Sequence, residues 1–390
     1  MMKQHTRIIA LVLCIGVLLS LLGCAKEPAA ANSGISSGYA GTVEGIAFTL
    51  ADVGGNVNLK TEVQNQFLAD LAENGEYDKV FEYAVGQSEL SKPAPVSLSW
   101  EAKTEEEILR YTVQLSLTED MSQVVYSVTT ATASAEVYNL ELGRTYYWTV
   151  TAELAGRQIT SGIASFTTDS RGPRNLDIDG VTNVRDIGGW ETADGTRVKQ
   201  GLIYRSGRFN TSDVPELNVE ITSEGTYVFK RILGVRTELD LREDAEAANI
   251  TESPMGSDVN YYRIPMTWDG DIIADNLEPI KQIFAVLAEE ENYPMVIHCN
   301  IGTDRTGAIC FLLNALLGVS EGDLSMDYAF SNFGAIGSSR SVIKITDSYL
   351  PLIQQSQGEN LQEKTYHYLL AGGVPAEHLD AVIRIMKEEK

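Results

Sequence analysis

A cysteine and an arginine separated by five residues, in the stretch VIHCNIGTDRTG, are the residues of this sequence best placed to do chemistry. A cysteine thiolate is a strong nucleophile, and the planar guanidinium of Arg305 offers paired donors to two phosphate oxygens. The intervening residues are enough to curl the chain, so that its amides and the guanidinium converge above the sulfur of Cys299. The hydroxyl of Thr306 can donate a hydrogen bond to that sulfur. The stretch therefore predicts a nucleophile beneath an oxyanion site.

The flanks of this stretch predict the elements that position it. MVIHC is a run of β-forming residues and predicts a central strand buried on both faces, whereas RTGAICFLLNALLG has helical spacing. The loop between them lies at a helix N-terminus, where unpaired N–H groups and the helix dipole favour an anion and lower a thiol pKa. We expect the phosphate-binding residues to be Asn300, Ile301, Gly302, Thr303, Asp304 and Arg305.

The surrounding C-terminal part of the chain alternates between strand and helix patterns. Strand patterns occur in GLIYRS, GVRTELDLR, VNYYRIPM and YPMVIHC. Helical patterns occur in EPIKQIFAVLAEEE, in the stretch after Arg305, in SVIKITDSYLPLIQQS and in AEHLDAVIRIMKEE. This alternation predicts an α/β fold with mostly parallel strands. Cys310 falls in the apolar helical stretch, where core packing is its expected role.

A different pattern precedes this part of the chain. Residues 93–169 contain short segments of alternating apolar and polar residues, such as VSLSWEA, RYTVQLSLT and RTYYWTVTAEL, which predict a β-sandwich. The early Trp100 and the later LELGRTYYWTVTA resemble the fibronectin type III family. Such modules separate or orient neighbouring domains or bind a partner, and the role of a plain spacer is favoured here. The stretch RGPRNL, residues 171–176, predicts a linker.

The arrangement H-C-(five residues)-R-T-G resembles the cysteine-dependent protein tyrosine phosphatase superfamily. NVRDIGGWETADGTRVKQGLIYRSGRF, LGVRTELDLREDAE and GDLSMDYAFSN resemble a bacterial branch of it. The resemblance covers residues 174–390 and implies a tyrosine-phosphatase-like central sheet flanked by helices. It further implies that Cys299 forms a phosphocysteine, that Arg305 holds the equatorial oxygens and that no metal or other cofactor takes part. His298 is expected to support the loop without transferring the proton.

The general acid that protonates the leaving group has three candidates. Asp269, in PMTWDGD, precedes the cysteine by thirty positions and resembles the mobile acid loop of other phosphatases, so it is the first choice. Asp240 and Asp304 are its rivals. A plain, solvated aspartate is the alternative reading of both Asp269 and Asp271. A structural network of ion pairs and hydrogen bonds is the favoured account of Asp240 and of three further charged residues, namely Arg185, Asp186 and Arg205.

One departure from the bacterial branch bears on the substrate. Many members have a lysine before the aspartate of the loop, where this chain has Thr303. Losing a cation beside the phosphate weakens the case for phosphoinositides and inositol phosphates, which remain an alternative substrate class, because extra phosphates need extra positive charge. Phosphotyrosine or a small phosphate monoester is therefore the expected substrate.

The N-terminus predicts export. Residues 1–23 have a basic start followed by an apolar run, and LLGC resembles the bacterial lipoprotein box, in which Cys24 would be acylated. An ordinary signal peptide or a short anchor is the alternative. Residues 24–40 predict a flexible tether, and residues 41–92 are partly helical without a readable function. We expect an extracytoplasmic protein, lipid-anchored to a bacterial membrane.

Composition limits the partners of the 390-residue chain. Its formal net charge of −24 argues against a nucleic-acid surface. A phosphorylated protein or small phosphate monoester is the expected substrate, and a protein or glycan could bind the β-sandwich. The alternative function is a surface lipoprotein that binds through its sandwich, with an inactive domain reading phosphate esters. Redox or sulfur-transfer chemistry at Cys299 is a third hypothesis, although no neighbouring cysteine would serve as its partner.

Overall fold

The computed structural model describes residues 38–210, 220–247 and 249–389. The predicted signal segment 1–23, the predicted lipidation site Cys24 and residues 25–37 of the predicted tether lie outside the described residues. Within the described ranges, no helix combines the length and the apolar character that crossing a lipid bilayer requires.

The chain divides into two compact units. In the described part, the first unit consists of residues up to 57 together with 95–137 and 143–169. The second consists of residues 58–94, 138–142 and those from 170 onward. The stretch 41–92, which the sequence left without a function, is therefore shared between the two units, and its helix belongs to the second.

Antiparallel strands make up the first unit. They are β1 (Tyr39–Val43), β2 (Ile46–Leu50), β3 (Val96–Lys103), β4 (Ile108–Ser116), β5 (Val124–Thr130), β6 (Ser134–Val137), β7 (Thr145–Leu154), β8 (Arg157–Thr160) and β9 (Ala164–Thr167). One sheet has the order β1-β2-β3-β6, and the other has the order β5-β4-β7-β8 with β9 paired to β7. Along β3, Val96, Leu98 and Trp100 are buried and alternate with exposed residues, as a sheet with one covered face requires.

The β1–β2 hairpin was not predicted from the sequence. It turns at Glu44 and Gly45, both of which have positive φ, at 43° and 89°. Such a turn matches the right-handed twist of the two strands. Glutamate is an uncommon residue in this conformation, so the sequence gives only a weak turn signal there.

A mixed six-stranded sheet forms the centre of the second unit. Its strands are β10 (Arg174–Asn175), β11 (Arg185–Asp186), β12 (Ile203–Ser206), β13 (Thr237–Asp240), β14 (Asn260–Arg263) and β15 (Met295–His298). The order is β10-β11-β12-β15-β13-β14; the last four strands are parallel to one another, whereas β10, β11 and β12 pair antiparallel. β15 lies between β12 and β13 and is buried along its whole length, which confirms the predicted central strand.

Helices surround this sheet. They are α1 (Glu62–Asn74), α2 (Ser223–Tyr227), α3 (Asp244–Ala247), α4 (Leu277–Leu287), α5 (Asp304–Leu317), α6 (Glu321–Ala329), α7 (Leu350–Gln354), α8 (Leu361–Ala371) and α9 (Ala376–Met386). π-helical turns, Val228–Ile232 and Lys344–Tyr349, follow α2 and precede α7. α5 is buried from Arg305 to Leu317 and contacts β15, α6, α8 and α9. Its burial explains why its sequence is apolar on every face.

Helix α1 packs on the rest of the second unit through an aromatic cluster. Phe67 is fully buried, and its ring lies 6.1, 5.8 and 5.9 Å from those of Tyr83, Phe330 and Phe333. Gly75, in the left-handed conformation, ends the helix. Residues 58–94 therefore contribute core side chains to the second unit.

Replacing Phe67 with alanine should destabilise the second unit by about 3–5 kcal/mol, because the cavity would lie within this aromatic cluster. Urea unfolding of the full chain, followed by circular dichroism, measures the loss. Leu370→Ala is the matched control, since Leu370 is 42% exposed and its truncation should cost far less. Equal effects of the two substitutions would contradict the assignment of α1 to this core.

Candidate active site

The loop between β15 and α5 presents a row of backbone donors next to a buried thiol. Cys299 follows β15 directly and is only 1% exposed. In the described part of the chain, no backbone N–H from Asn300 to Arg305 donates to a carbonyl or side-chain oxygen. Gly302 has a φ of 72°, and a Cβ there would lie 2.3 Å from the carbonyl oxygen of Ser206. Only glycine fits this turn.

The carbonyl groups of the same loop accept hydrogen bonds from one segment of the chain, from two side chains and one backbone N–H. Asn183 Nδ2 donates to the Ile301 oxygen at 2.9 Å, and Arg205 Nη2 donates to the Gly302 oxygen at 2.7 Å. The Asn300 oxygen accepts from the backbone N–H of Arg208 at 3.1 Å. With these carbonyls bound outside the loop, its N–H groups remain available to an anion.

A buried carboxylate supports this arrangement. Asp327, on α6, accepts hydrogen bonds from Arg185 Nε at 2.7 Å and from Arg205 Nη1. Burial raises the pKa of Asp327, but the charges of Arg185 and Arg205 outweigh burial and lower it overall. Asp186 likewise pairs with Arg174 at 2.7 Å. The structural ion pairs expected for Arg185, Asp186 and Arg205 are thus present.

Arg305 is held by a carboxylate that the sequence reading did not single out. Glu246, on α3, accepts from Arg305 Nη1 at 2.6 Å and from Nη2 at 2.9 Å. Its Oε1 also accepts from the side-chain amide of Asn300. Burial raises the pKa of Glu246, but the hydrogen bonds and charge of Arg305 lower it overall. Glu246 thereby fixes the plane of the guanidinium.

The environment of Cys299 favours its thiolate. Burial alone raises the pKa of the thiol, but the positive charge of Arg305 and the hydroxyl and N–H of Thr306 lower it overall. The Thr306 hydroxyl is buried and has no partner in regular hydrogen-bond geometry among the described residues. The hydrogen bond from this hydroxyl to the sulfur, which the sequence predicts, is therefore not formed in regular geometry. The lowered pKa makes Cys299 a competent nucleophile.

His298 ties the nucleophile to a buried acidic pair. Its Nδ1 lies 3.1 Å from the Cys299 oxygen, and its Nε2 lies 2.9 Å from Glu238. Burial lowers the pKa of His298, but Asp240 and Glu238 outweigh burial and raise it overall. The imidazole is fully buried, which fits the supporting role expected from the sequence.

Glu238, Asp240 and His298 also have the residue types of a metal site, with ligand atoms within 4.8 Å of one another. The donors are already used, because Glu238 accepts from Ser253 and Asp240 accepts from Arg242. The adjacent guanidinium would repel a cation. The cluster therefore fits an internal ion-pair network better than a metal site.

Comparison with known proteins decides the family. A model of the tyrosine phosphatase family matches residues 176–389, more than half of the chain. The chain belongs to the tyrosine phosphatase family. A candidate tyrosine-protein phosphatase of Cupriavidus necator is 30% identical to it over 186 residues. That match covers 42% of this chain and 64% of the relative, so the chain spans less than two thirds of the relative's length.

Solved structures also resemble this tyrosine phosphatase family chain. The core catalytic domain of the PP-IP phosphatase SIW14 from S. cerevisiae is 18% identical, with a TM-score of 0.28, over 39% of this chain and 86% of that one. A cysteine-to-serine variant of TpbA from P. aeruginosa, in complex with pTyr, is 18% identical, with a TM-score of 0.28; the match covers 44% of this chain and 87% of that one. Scores this low carry no argument about function.

Three aspartates are candidates for the general acid of this site, and they lie in different environments. Asp240 is fully buried and binds Arg242 and the hydroxyl of Tyr261. Burial raises the pKa of Asp240, but the charge of His298 and the Arg242 pair lower it overall. It therefore stays ionised and cannot donate a proton. Asp304 accepts from Tyr328 at 3.1 Å and pairs with Arg340 at 3.3 Å.

Asp269 lies on an exposed loop with an anchored stem. Asn276 bonds both the N–H and the carbonyl of Thr267, at 2.8 and 2.9 Å. The preceding carbonyl, of Met266, accepts from Arg305 at 3.3 Å, so the stem of the loop reaches the site. Asp271 caps the following turn by accepting from the N–H groups of Ile273 and Ala274. The structure thus gives Asp271 a structural role and leaves the carboxylate of Asp269 exposed.

Thr303 occupies the underside of the loop of this tyrosine phosphatase family site. It is fully buried, and its hydroxyl accepts from Asn183 Nδ2 at 3.3 Å. Thr303 is one of the predicted phosphate-binding residues. Because Asn183 engages its hydroxyl, only its backbone N–H remains available to a phosphate. The side chain acts as a structural contact, which a lysine could not replace without changing the packing against Asn183.

The thiolate chemistry gives a pH prediction. Because only the thiolate reacts with iodoacetamide, the alkylation rate rises with pH through the thiol pKa. Thr306→Ala removes a group that lowers this pKa, so half-maximal alkylation of Cys299 should move to higher pH by roughly 0.5–1 unit. Mass spectrometry of the peptide that contains Cys299 measures the rate. Burial raises the pKa of Cys310 to about 11, so that thiol stays protonated near neutral pH.

Thr365→Ala is the matched control, because the buried Thr365 hydroxyl donates to the Leu361 oxygen, at 2.7 Å, and not to the sulfur. The pH dependence of this control should equal that of the wild-type protein. An unchanged profile in Thr306→Ala would show that the hydroxyl does not act on Cys299.

Proposed function

We propose that this protein is an exported phosphatase that hydrolyses phosphotyrosine or a related phosphate monoester through a phosphocysteine intermediate. The observation that carries the proposal is the loop after β15. It combines a thiol of lowered pKa, a row of unpaired N–H groups and a fixed guanidinium. Donors held in place before the reaction stabilise the charge of a trigonal phosphoryl group as it transfers.

The reaction proceeds in two displacements. The Cys299 thiolate attacks phosphorus, the P–O bond to the leaving group breaks, and the leaving oxygen takes a proton from the general acid. Arg305 and the loop N–H groups hold the equatorial oxygens during this step. Water then attacks the phosphocysteine, gives its proton to the same acid, and releases inorganic phosphate and the thiolate.

Asp269 is the proposed general acid. Two features support this choice over the alternatives, namely its exposure on the loop that begins beside Arg305 and the commitment of Asp240 to Arg242. Asp304 is the remaining rival, although its carboxylate is engaged by Tyr328 and Arg340. A proton donor on an exposed loop can approach the leaving group once the substrate is bound.

Export and anchoring complete the proposal. The signal pattern of residues 1–23 supports export, and LLGC supports a lipid on Cys24 at a bacterial membrane. The two antiparallel sheets of the first unit support a β-sandwich module of the fibronectin type III kind. We assign this module a spacer or binding role, with a protein or glycan as its partner.

The first test removes the nucleophile. Cys299→Ser should abolish release of phosphate from phenyl phosphate, because a serine hydroxyl at this position is not ionised. Binding of the ester, measured by calorimetry, should persist. A Cys299→Ser variant as active as the wild-type protein would refute the phosphocysteine mechanism.

The alternative function, a binding lipoprotein with an inactive phosphatase-like domain, gives a different result in the same experiment. The wild-type protein would then bind the ester without hydrolysing it. The lowered pKa of Cys299 and the intact Arg305 pair argue against that alternative.

The second test identifies the acid. Asp269→Asn should lower kcat/KM on phenyl phosphate, which reports the first displacement, by about 10²–10³, because the phenolate must be protonated as it leaves. The loss should be much smaller on 2,4-dinitrophenyl phosphate, whose leaving group departs as an anion. Asp271→Asn, a substitution on the same loop, serves as the control and should show no dependence on the leaving group. If Asp304→Asn gave this dependence and Asp269→Asn did not, Asp304 would be the acid.

A further inference from the structure

A carboxylate in residues 58–94 of the second unit connects two distant segments of that unit. Glu89 Oε2 accepts hydrogen bonds from the hydroxyl of Thr182 and from the N–H of Ala335, the latter at 3.4 Å. The Thr182 hydroxyl itself accepts from the same Ala335 N–H, at 2.8 Å. Thr182 and Ala335 are 153 positions apart in the chain, so Glu89 helps to hold together two segments that meet only on folding.

Thr182 directly precedes the residue whose side chain anchors the loop after β15. Asn183 Nδ2 donates to the Ile301 oxygen at 2.9 Å and to the Thr303 hydroxyl at 3.3 Å. Asn183 is fully buried and has a φ of 57°, which is an uncommon conformation for a residue other than glycine. The direction of its side-chain amide therefore depends on contacts that hold the neighbouring backbone in this conformation.

The contacts of Glu89 hold the backbone on both sides of Asn183. Thr182, the neighbour in sequence, is 5% exposed and donates its hydroxyl hydrogen to the carboxylate. Gly334, the neighbour in space, packs so closely that a Cβ on it would lie 2.7 Å from the Asn183 Cβ. Ala335, which follows this glycine, is the second donor to Glu89.

Backbone hydrogen bonds hold the stretch of chain that carries Glu89. The N–H of Gly86 donates to the Asn332 oxygen at 2.8 Å, and the N–H of Leu90 donates to the Phe333 oxygen at 2.6 Å. These bonds do not involve the carboxylate. A substitution of Glu89 therefore removes its own contacts and leaves the stretch attached to the rest of the second unit.

We propose that Glu89 is a positioning residue of the active site, which acts through Thr182 and Asn183 to keep the N–H groups of the loop after β15 directed at phosphate. The inference rests on the proposed phosphatase function. It extends the catalytic unit to residues 58–94, which precede the residues that the family model matches. A carbonyl of the loop that lost its anchor could turn towards the anion and repel it, so the loss of Glu89 should weaken phosphate binding.

The test measures binding of inorganic phosphate to the full-length Cys299→Ser protein by calorimetry. Adding Glu89→Ala should raise the Kd of phosphate by about tenfold, the size of one charge-assisted hydrogen bond. In the protein with Cys299 intact, Glu89→Ala should lower kcat/KM on phenyl phosphate by a similar factor. Removing a negative charge would by itself strengthen anion binding, so the direction of the effect is diagnostic. An unchanged or lower Kd would overturn the proposal.

Asp78→Ala is the matched control. Asp78 lies in the same segment and accepts from the hydroxyl of Ser341 and from the N–H of Val342, the latter at 2.9 Å. The control therefore removes the same charge and the same kinds of contact, but at a position that does not reach Thr182. It should lower the melting temperature and leave the Kd of phosphate within about twofold of the parent value. Equal losses of phosphate affinity in the two variants would refute the specific role of Glu89.

Thr182→Val tests the route from Glu89 to the loop. Valine keeps the shape of threonine but lacks the hydroxyl, so Thr182→Val should raise the Kd of phosphate about as much as Glu89→Ala does. The double variant should bind no more weakly than either single variant, because both substitutions remove one shared interaction. Losses that multiply in the double variant would contradict this route. Glu89→Gln, which keeps one acceptor oxygen, should retain most of the affinity.

The two measurements distinguish this proposal from the proposed function. If the wild-type protein hydrolyses phenyl phosphate in a Cys299-dependent manner and Glu89→Ala changes neither Kd nor kcat/KM, only the role of Glu89 fails. If the protein binds phosphate without hydrolysing the ester, the phosphatase function fails, and the Kd of Glu89→Ala alone decides the role of Glu89. If it does neither, both proposals fail. Thermal melting identifies a variant that does not fold, and Thr182→Val then decides the question.

Discussion

The site depends on the outward anchoring of the carbonyl groups in the loop after β15. Backbone N–H and C=O groups alternate along a chain, so a loop can offer several N–H groups to one anion only if its carbonyls are bound elsewhere. Arg205 and Asn183 bind two of these carbonyls, and both residues come from the segment around β11 and β12. Charged side chains buried this deeply would cost several kcal/mol without compensation. Asp327 compensates Arg185 and Arg205 together, so a residue on α6 determines whether the loop keeps its shape.

Buried arginines lie near the nucleophile of a strongly acidic chain. The formal net charge is −24, yet the charged side chains packed around Cys299 include Arg208, Arg242 and Arg305. Two of these arginines are balanced by carboxylates, and the remaining charge is shared by the sulfur and any bound anion. In solution, charges farther apart than about 8 Å are largely screened at physiological salt. The buried arginines therefore set the potential at the sulfur, while the acidic surface opposes nonspecific binding of polyanions.

The sequence was informative where function depends on neighbours along the chain. The nucleophile, the arginine, the strand before them and the helix after them lie within one short segment, so their spacing and apolar pattern suffice to predict them. The partners of that segment were not predictable in the same way. Glu246 lies 59 positions before Arg305, and Asp327 lies 142 positions after Arg185. Both fall within motifs that resemble the bacterial branch, but only the fold shows which acidic residue of each motif reaches an arginine. The assignment of α1 to the second unit has the same cause, because Phe67 meets Phe330 only after folding.

Thr303 shows how a conclusion about substrate charge can fail when it is drawn from one position. A threonine in place of lysine removes a cation from the loop, which suggests a substrate of low charge. The threonine side chain, however, is directed at Asn183 beneath the loop, where it affects packing more than electrostatics. The potential above Cys299 depends on every charged group within a few ångströms, whatever element carries it.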